Sequence, residues 1–218
     1  MSEKKKFILA VPTVIIIIIF IVTMCFMIYN KNYKPLTKEE AMHLAERAVT
    51  IDNLSCQIMA KQEEKESVVN YKRKGNMVYR ESDGCEEYLN IETSECVYID
   101  EENKEAYKYI SDSVIESYNE MIYIGIQSLK DENVEYKFKN YEKVNGIDCA
   151  AINLSNENTV MDLWLDRENG MVTKFAITYK VEGMEDSTTT YIYRYQIGKV
   201  TDENITVPDL SDYVVMDM

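Results

Sequence analysis

The stretch from 145 to 180, NGIDCAAINLSNENTVMDLWLDRENGMVTKFAITYK, decides the fold. It reads as three strands joined by polar turns, and its last piece alternates Phe175, Ile177 and Tyr179 with Lys174, Thr178 and Lys180. Successive side chains of a strand point to opposite faces, so this period of two marks half-buried strands. The short turns between the pieces make neighbouring strands antiparallel.

Working outward, the same pattern extends in both directions. From Leu54 to Tyr109 the pieces LSCQIMAKQ, SVVNYKRK, NMVYRES, CEEYLNI, ECVYID and EAYKYI have strand length and composition, with breaks at KGN, SDG, IETS and DEEN. After the quoted stretch, TTTYIYRYQIG puts Tyr191, Tyr193 and Tyr195 on one face. With VEYKFKNYEKV before it, the chain reads as about eleven strands. A meander of that size must curl, close or pair off its edges.

Two segments have helical spacing instead. LTKEEAMHLAERAVT opens with a capping box, in which Thr37 accepts from the Glu40 amide and the Glu40 side chain reaches back. A helix over about 38–50 follows, with Met42, Ala45 and Val49 on one stripe and Ala41, Leu44 and Ala48 beside it. SDSVIESYNEMIYIGIQSLKDEN places Val114, Tyr118, Met121, Ile122, Gly125 and Leu129 on one broad face, and Ser111 or Ser113 can cap it. Its centre, MIYIGI, is apolar nearly all round, so this helix is expected to lie across the sheet; a strand is the alternative for those six residues. The fold class is α+β.

Residues 7–29 carry no charge and span roughly 34 Å as a helix, enough to cross a bilayer core. The expectation is a transmembrane signal-anchor, with 1–6 as a cytoplasmic tail and 30–36 as a linker. Residues 37–218 are then the extracytoplasmic domain. Lysines on the two sides tie at Lys4, Lys5, Lys6 against Lys31, Lys34, Lys38, and the short basic tail sets the orientation. A cleaved signal peptide is an alternative, but no A-x-A-like site follows. A lipoprotein signal ending at Cys25 is another, against which Met24 stands where a small residue is wanted.

The chain carries a net charge of −14; without Glu3, Lys4, Lys5 and Lys6, 21 basic residues face 37 acidic ones, a net −16. That balance opposes nucleic acid and anionic lipid headgroups as partners. No calcium loop is present, and DEEN at 100–103 reads as a turn. Four cysteines follow the anchor, Cys56, Cys85, Cys96 and Cys149, in three possible pairings and without a C-x-x-C. Cys85 with Cys96 is the most local bridge; buried free thiols are the other reading.

None of the catalytic or cofactor signatures occurs: no G-x-S-x-G, H-E-x-x-H, phosphate loop or G-x-G-x-x-G. The single histidine, His43, rides on the first helix without a second ligand or base. Asp162 and Asp166, flanking Trp164, are the best carboxylate pair for glycoside chemistry, and a solvated strand face explains them as well. The expectation is no enzyme, no catalytic residue, no metal and no cofactor.

At residues 146–179 the chain resembles the LolA/LolB/RseB superfamily of periplasmic lipoprotein carriers and their relatives. The resemblance lies in a strand led by Gly146, a strand ending LWLD at 163–166, a polar turn closed by Gly170 and a strand with Lys174. The segment ITVPDL is similar to that family's closing segment. Val172 departs from it, where proline often follows the glycine, as does the anchor. The resemblance implies a strongly curved antiparallel half-barrel around an apolar cavity, with helices covering the concave face. Tyr118, Met121, Ile122, Phe175, Ile177 and Tyr179 would line it. It also implies a lipid, acyl chain or lipoprotein segment as ligand, with the protein at the cell envelope. Similar anchored domains include germination lipoproteins of Gram-positive spore formers, which implies the alternative: a scaffold for a cell-envelope protein that activates or regulates a cell-wall hydrolase. A domain-swapped or edge-paired homodimer is compatible with either.

Overall fold

The computed structural model describes residues 19–25, 27, 34–181, 183 and 185–217, without the side chains of 112 and 115–121. The chain divides into two compact units, Met1–Pro35 and Leu36–Met218. In the first, residues 19–25 and 27 are helical. No helix among the described residues is long and apolar enough to cross a membrane. Most of the span expected over 7–29 lies outside the described residues.

The second unit begins with α1 (Lys38–Val49). Its capping box is formed as expected: the Glu40 amide donates to Thr37 Oγ1 at 3.2 Å and the Thr37 amide to Glu40 Oε2 at 2.9 Å. A meander follows: β1 (Asn53–Gln62), β2 (Lys65–Lys74), β3 (Met77–Ser82), β4 (Cys85–Asn90), β5 (Glu95–Asp100) and β6 (Glu105–Ile110). Then come α2 (Asp112–Lys130) and a second meander, β7 (Glu135–Val144), β8 (Ile147–Ser155), β9 (Thr159–Asp166), β10 (Val172–Tyr179) and β11 (Ser187–Ile197). A twelfth strand, β12 (Val214–Asp217), corrects the expected count of about eleven.

All twelve strands form one open, curved sheet in the order β12-β6-β5-β4-β3-β2-β1-β11-β10-β9-β8-β7. The two meanders join through antiparallel β1 and β11, and β12 pairs in parallel with β6. Two tight turns follow from sequence. Asp83-Gly84 and Asn145-Gly146 have positive φ at both positions, the geometry that matches the twist of a two-residue hairpin. At the free edge, β7 is bulged between Phe138 and Asn140 and carries Lys137, Lys139 and Lys143, which discourages pairing with another strand.

Both helices pack on the concave face. Ala41, Leu44, Ala45 and Ala48 of α1 and Ile122, Ile126 and Leu129 of α2 are buried in one cluster with Leu54, Ile58, Ile152, Leu163, Leu165 and Phe175 of the sheet. MIYIGI is therefore helical, with non-helical backbone at Tyr123. There Arg73 Nη1 donates to Tyr123 Oη at 2.9 Å, tying the kink to β2. Gly125 lets the helix settle on the strands, since a Cβ would meet Leu163 at 3.0 Å and Val172 at 3.3 Å. Ser111 is the N-cap by position but makes no side-chain capping bond.

A second, smaller cluster lies on the convex face of the first meander. Val200 and Ile205, with Val207, Leu210 and Tyr213, cover Tyr79, Tyr88, Ile99 and Ala106. The Asn53 side chain holds the start of this covering segment, donating to the Val200 carbonyl at 3.1 Å and accepting from its amide at 2.9 Å. Asn53→Ala strips both groups of their partner. It should cost about 1–3 kcal/mol, and hydrogen exchange at 200–217 should rise more than in β8 and β9.

The described cysteines form no disulfide, which corrects the Cys85–Cys96 bridge. In the β4–β5 ladder Cys85 stands opposite Asp100 and Cys96 opposite Leu89, so the two lie at opposite ends of the pair. Cys56, Cys96 and Cys149 are buried. Burial pushes the thiols of Cys56 and Cys96 up, to about 12 and about 11.

Candidate functional site

The register places Phe175, Ile177 and Tyr179 in one line on the concave side of β10, opposite Leu163, Met161 and Thr159 of β9. Along those five residues the environment changes completely. Phe175 is 1% exposed and lies against the Tyr191 ring, centroids 5.8 Å apart. Ile177 is half-buried, and Tyr179 is 51% exposed.

Neighbouring strands show the same gradient toward the same end. On β11, Tyr193 is buried and Tyr191 half-buried; on β1, Ile58 is buried, Ala60 half-buried and Gln62 exposed. On β2, Tyr71 is buried, Val69 half-buried and Ser67 exposed. The concave face is thus a packed core at the helix-covered end and an open trough at the other. Ile122 belongs to the packed end. The side chains of Tyr118 and Met121 lie outside the described residues.

Across the first meander the trough is continued by residues that reading the sequence missed. Tyr98 and Tyr107 face each other across β5 and β6 with ring centroids 6.1 Å apart. Next to them, Arg80 Nη2 lies 2.9 Å from Glu87 Oε2, and Tyr109 Oη donates to Glu87 Oε1 at 2.6 Å. Glu87 is only 5% exposed, so this ion pair forms the floor of the open end. A carboxylate so buried is tolerable only because a cation and a hydroxyl both contact it. Burial and the Glu87 carboxylate raise the Tyr109 phenol, which stays a donor. The hydrogen bond to Cys85, with burial, pushes the Tyr98 phenol up to about 12. Alternation within ECVYID and EAYKYI pairs Tyr98 with one face, but only the ladder shows that it faces Tyr107.

A cavity of about 470 Å³ lies at the end of β5 and β6, lined by Glu95, Cys96, Val97, Lys108, Tyr109 and Ile110. It touches none of Phe175, Ile177 and Tyr179.

The residues weighed for catalysis do not converge. His43 is exposed on α1, 3.2 Å from Glu46 and 4.0 Å from Glu39. Asp162 accepts from Lys139 at 3.0 Å and Asn153 at 2.8 Å. Asp166 accepts from the Glu168 amide, Asn169 and Tyr195, holding the 166–171 turn. Asp100 accepts from the Asn103 amide and side chain, so DEEN is a turn. Among the described residues no group of three or more His, Cys, Asp or Glu is placed to hold a metal.

No family model matches the chain, and no curated protein matches it. Solved structures to which it is similar include MucB, at 11% identity and a TM-score of 0.49, covering 81% of this chain and 66% of that one. The MucA/MucB complex of Pseudomonas aeruginosa is similar at 12% identity and 0.47, covering 81% and 64%. A LolA superfamily protein of Nitrosomonas europaea is similar at 10% identity and 0.31, covering 77% and 97%. The chain is similar to structures of the superfamily that its residues 146–179 resemble. It spans just under two thirds of the MucB chains' length. Similarity at these scores leaves the function to this chain's own residues.

Proposed function

We propose that the unit from Leu36 onward is a non-enzymatic, extracytoplasmic binding domain, anchored through residues 7–29. It takes an extended, partly apolar segment of a cell-envelope protein at the open end of its concave face. The observation that supports this is the step from Phe175, buried in the helix-covered core, to Tyr179, half exposed, two positions beyond Ile177 on the same strand face. An acyl-chain carrier needs an apolar cavity of a few hundred Å³. Here Phe175, Leu163, Ile152 and Ile122 fill the corresponding region.

What remains open suits a polypeptide. Tyr179 on one side and the opposed Tyr98 and Tyr107 on the other flank a half-buried strip of Ile177, Tyr191, Ala60 and Val69. Tyrosine supplies large contact area with little side-chain entropy to lose, and the hydroxyls meet the polar backbone of a bound segment. Regulation of a cell-wall hydrolase is one form that such binding would take.

The test is a photo-crosslinking benzoyl group placed at 179 or 191 in the intact membrane. The expected product is a discrete protein adduct from both positions, lost when Tyr98 and Tyr107 are changed to alanine. Adducts that consist of lipid alone would overturn the proposal.

A further inference from the structure

The two edges of the sheet are built differently. The β7 edge is bulged and carries three lysines, devices that keep an edge from pairing. At the other edge, β12 has an unbroken ladder to β6 and neither lysine nor proline; its shortness and Asp217 are its only such devices. The Val214 amide donates to the Lys104 carbonyl at 2.9 Å. Successive residues of a strand direct their backbone groups to opposite sides, so Val214 and Met216 serve β6, while Val215 and Asp217 hold amide and carbonyl outward. Among the described residues no strand pairs with that outer side.

The β12 ladder ends opposite Lys108, whereas β6 runs on to Ile110, so a notch follows β12 along the edge. The cavity of about 470 Å³ lies there, lined in part by Val97, Tyr109 and Ile110. The Ser111 amide donates to the Ser94 carbonyl at 3.0 Å, on the β5 side, which turns the backbone groups of Ile110 toward the notch. Exposed apolar side chains gather along this one edge: Ile110 is 75% exposed, Val214 63% and Val215 42%. Charge divides its two ends. Beside the start of β12 stand Asp100, Glu101, Glu102, Glu105, Asp209 and Asp212 against Lys104, whose ammonium is 2.6 Å from Glu101. At the notch end Lys108 lies opposite Asp217, with Glu95 beyond.

We propose that the β12 edge and its notch form a strand-addition site for an extended segment of a partner protein, about six residues long. Outward amides and carbonyls are matched by another backbone, which selects a polypeptide. Antiparallel pairing, the more stable arrangement, places a large apolar side chain at the segment's N-terminal end in the notch. Basic residues at its C-terminal end then meet the acidic turn. A second copy of this chain fits poorly: two β12 strands paired antiparallel would bring Asp217 of each beside the acidic turn of the other. The site is separate from Tyr179 and the strip beside it, and stands whether or not the trough is occupied.

The test is fluorescence anisotropy of a labelled synthetic peptide, FTVTVKK with both ends blocked, titrated with the full chain in phosphatidylcholine nanodiscs. We expect saturable binding that weakens with added salt. Val215→Pro deletes an outward donor and leaves the two residues that serve β6; it should weaken binding at least about tenfold, as should Ile110→Asp, while Val215→Thr and Tyr179→Ala bind as the parent does. Methylating alternate peptide amides gives a readout that leaves the protein untouched. N-methylation of both valines and of both threonines should differ at least about tenfold in effect, because only one set faces β12. The proposal is overturned by the absence of saturation, by equal effects of the two methylated peptides, or by equal binding of FTVTVEE. It is equally overturned if Ile110→Asp, with circular dichroism unchanged, binds undiminished, or if sedimentation shows a dimer that Val215→Pro abolishes.

Discussion

Phe175→Ala should destabilise the protein by about 3–5 kcal/mol in urea unfolding, among the largest losses for one truncation. Phe175 is fully buried between the helices and the sheet, in the same cluster as Leu54, Ile122, Ile152 and Leu163. Deleting its ring removes the transfer free energy of the side chain and leaves a cavity inside that cluster. Two residues further along the same face, Ile177 is half-buried, and beyond it Tyr179→Ala should change stability by less than about 0.5 kcal/mol. The contrast within one strand separates a packed interior from a ligand pocket. If the interior were already an open cavity, Phe175 would line space, and its removal would cost far less than the packing value.

Gly170→Ala should cost about 3 kcal/mol or more. Gly170 has φ +79°, and a Cβ there would sit 1.9 Å from the Leu44 carbonyl oxygen and 2.8 Å from its carbon. The left-handed conformation alone penalises alanine by about 1–2 kcal/mol. The collision is with backbone, so no side-chain rotation relieves it, and α1 must move off the 166–171 turn. Gly84→Ala is the matched control. Its φ is +80° but nothing lies within 4 Å, so it should lose only the conformational part. The difference between the two, read from urea midpoints, measures how firmly α1 is seated on the sheet.

Much of this was legible in the chain. The capping box at Thr37, the alternation of Phe175, Ile177 and Tyr179, and the turns at Asp83-Gly84 and Asn145-Gly146 are local signals, and each produced its element. Gly170 closes a turn that the residues announce, but the reason that only glycine fits is Leu44, more than a hundred residues earlier. The strand β12 escaped because VVMD is short and earns its pairing only by lying beside β6, after a segment that crosses the convex face. Tyr98 and Tyr107 escaped for a related reason. Alternation assigns a residue to one of two faces, whereas opposing tyrosines require the register of both strands. The cysteines mislead in the same way, since closeness of Cys85 and Cys96 in sequence puts them at opposite ends of a hairpin ladder.

Phe175, Ile177 and Tyr179 share one face of β10, as their alternation says. Their exposure diverges along the strand, which the pattern alone does not encode. Period two reports inside against outside, and the helices decide where along the strand the inside ends.

The central claim is that the helix-covered end of the concave face is filled by the protein itself, so that the domain binds a polypeptide at its rim and carries no lipid. Native mass spectrometry of residues 1–218, released from mild detergent and paired with organic extraction of the same sample, tests it directly. The account predicts the mass of the bare chain and no lipid recovered in stoichiometric amount. A one-to-one lipid adduct that survives detergent exchange would contradict it.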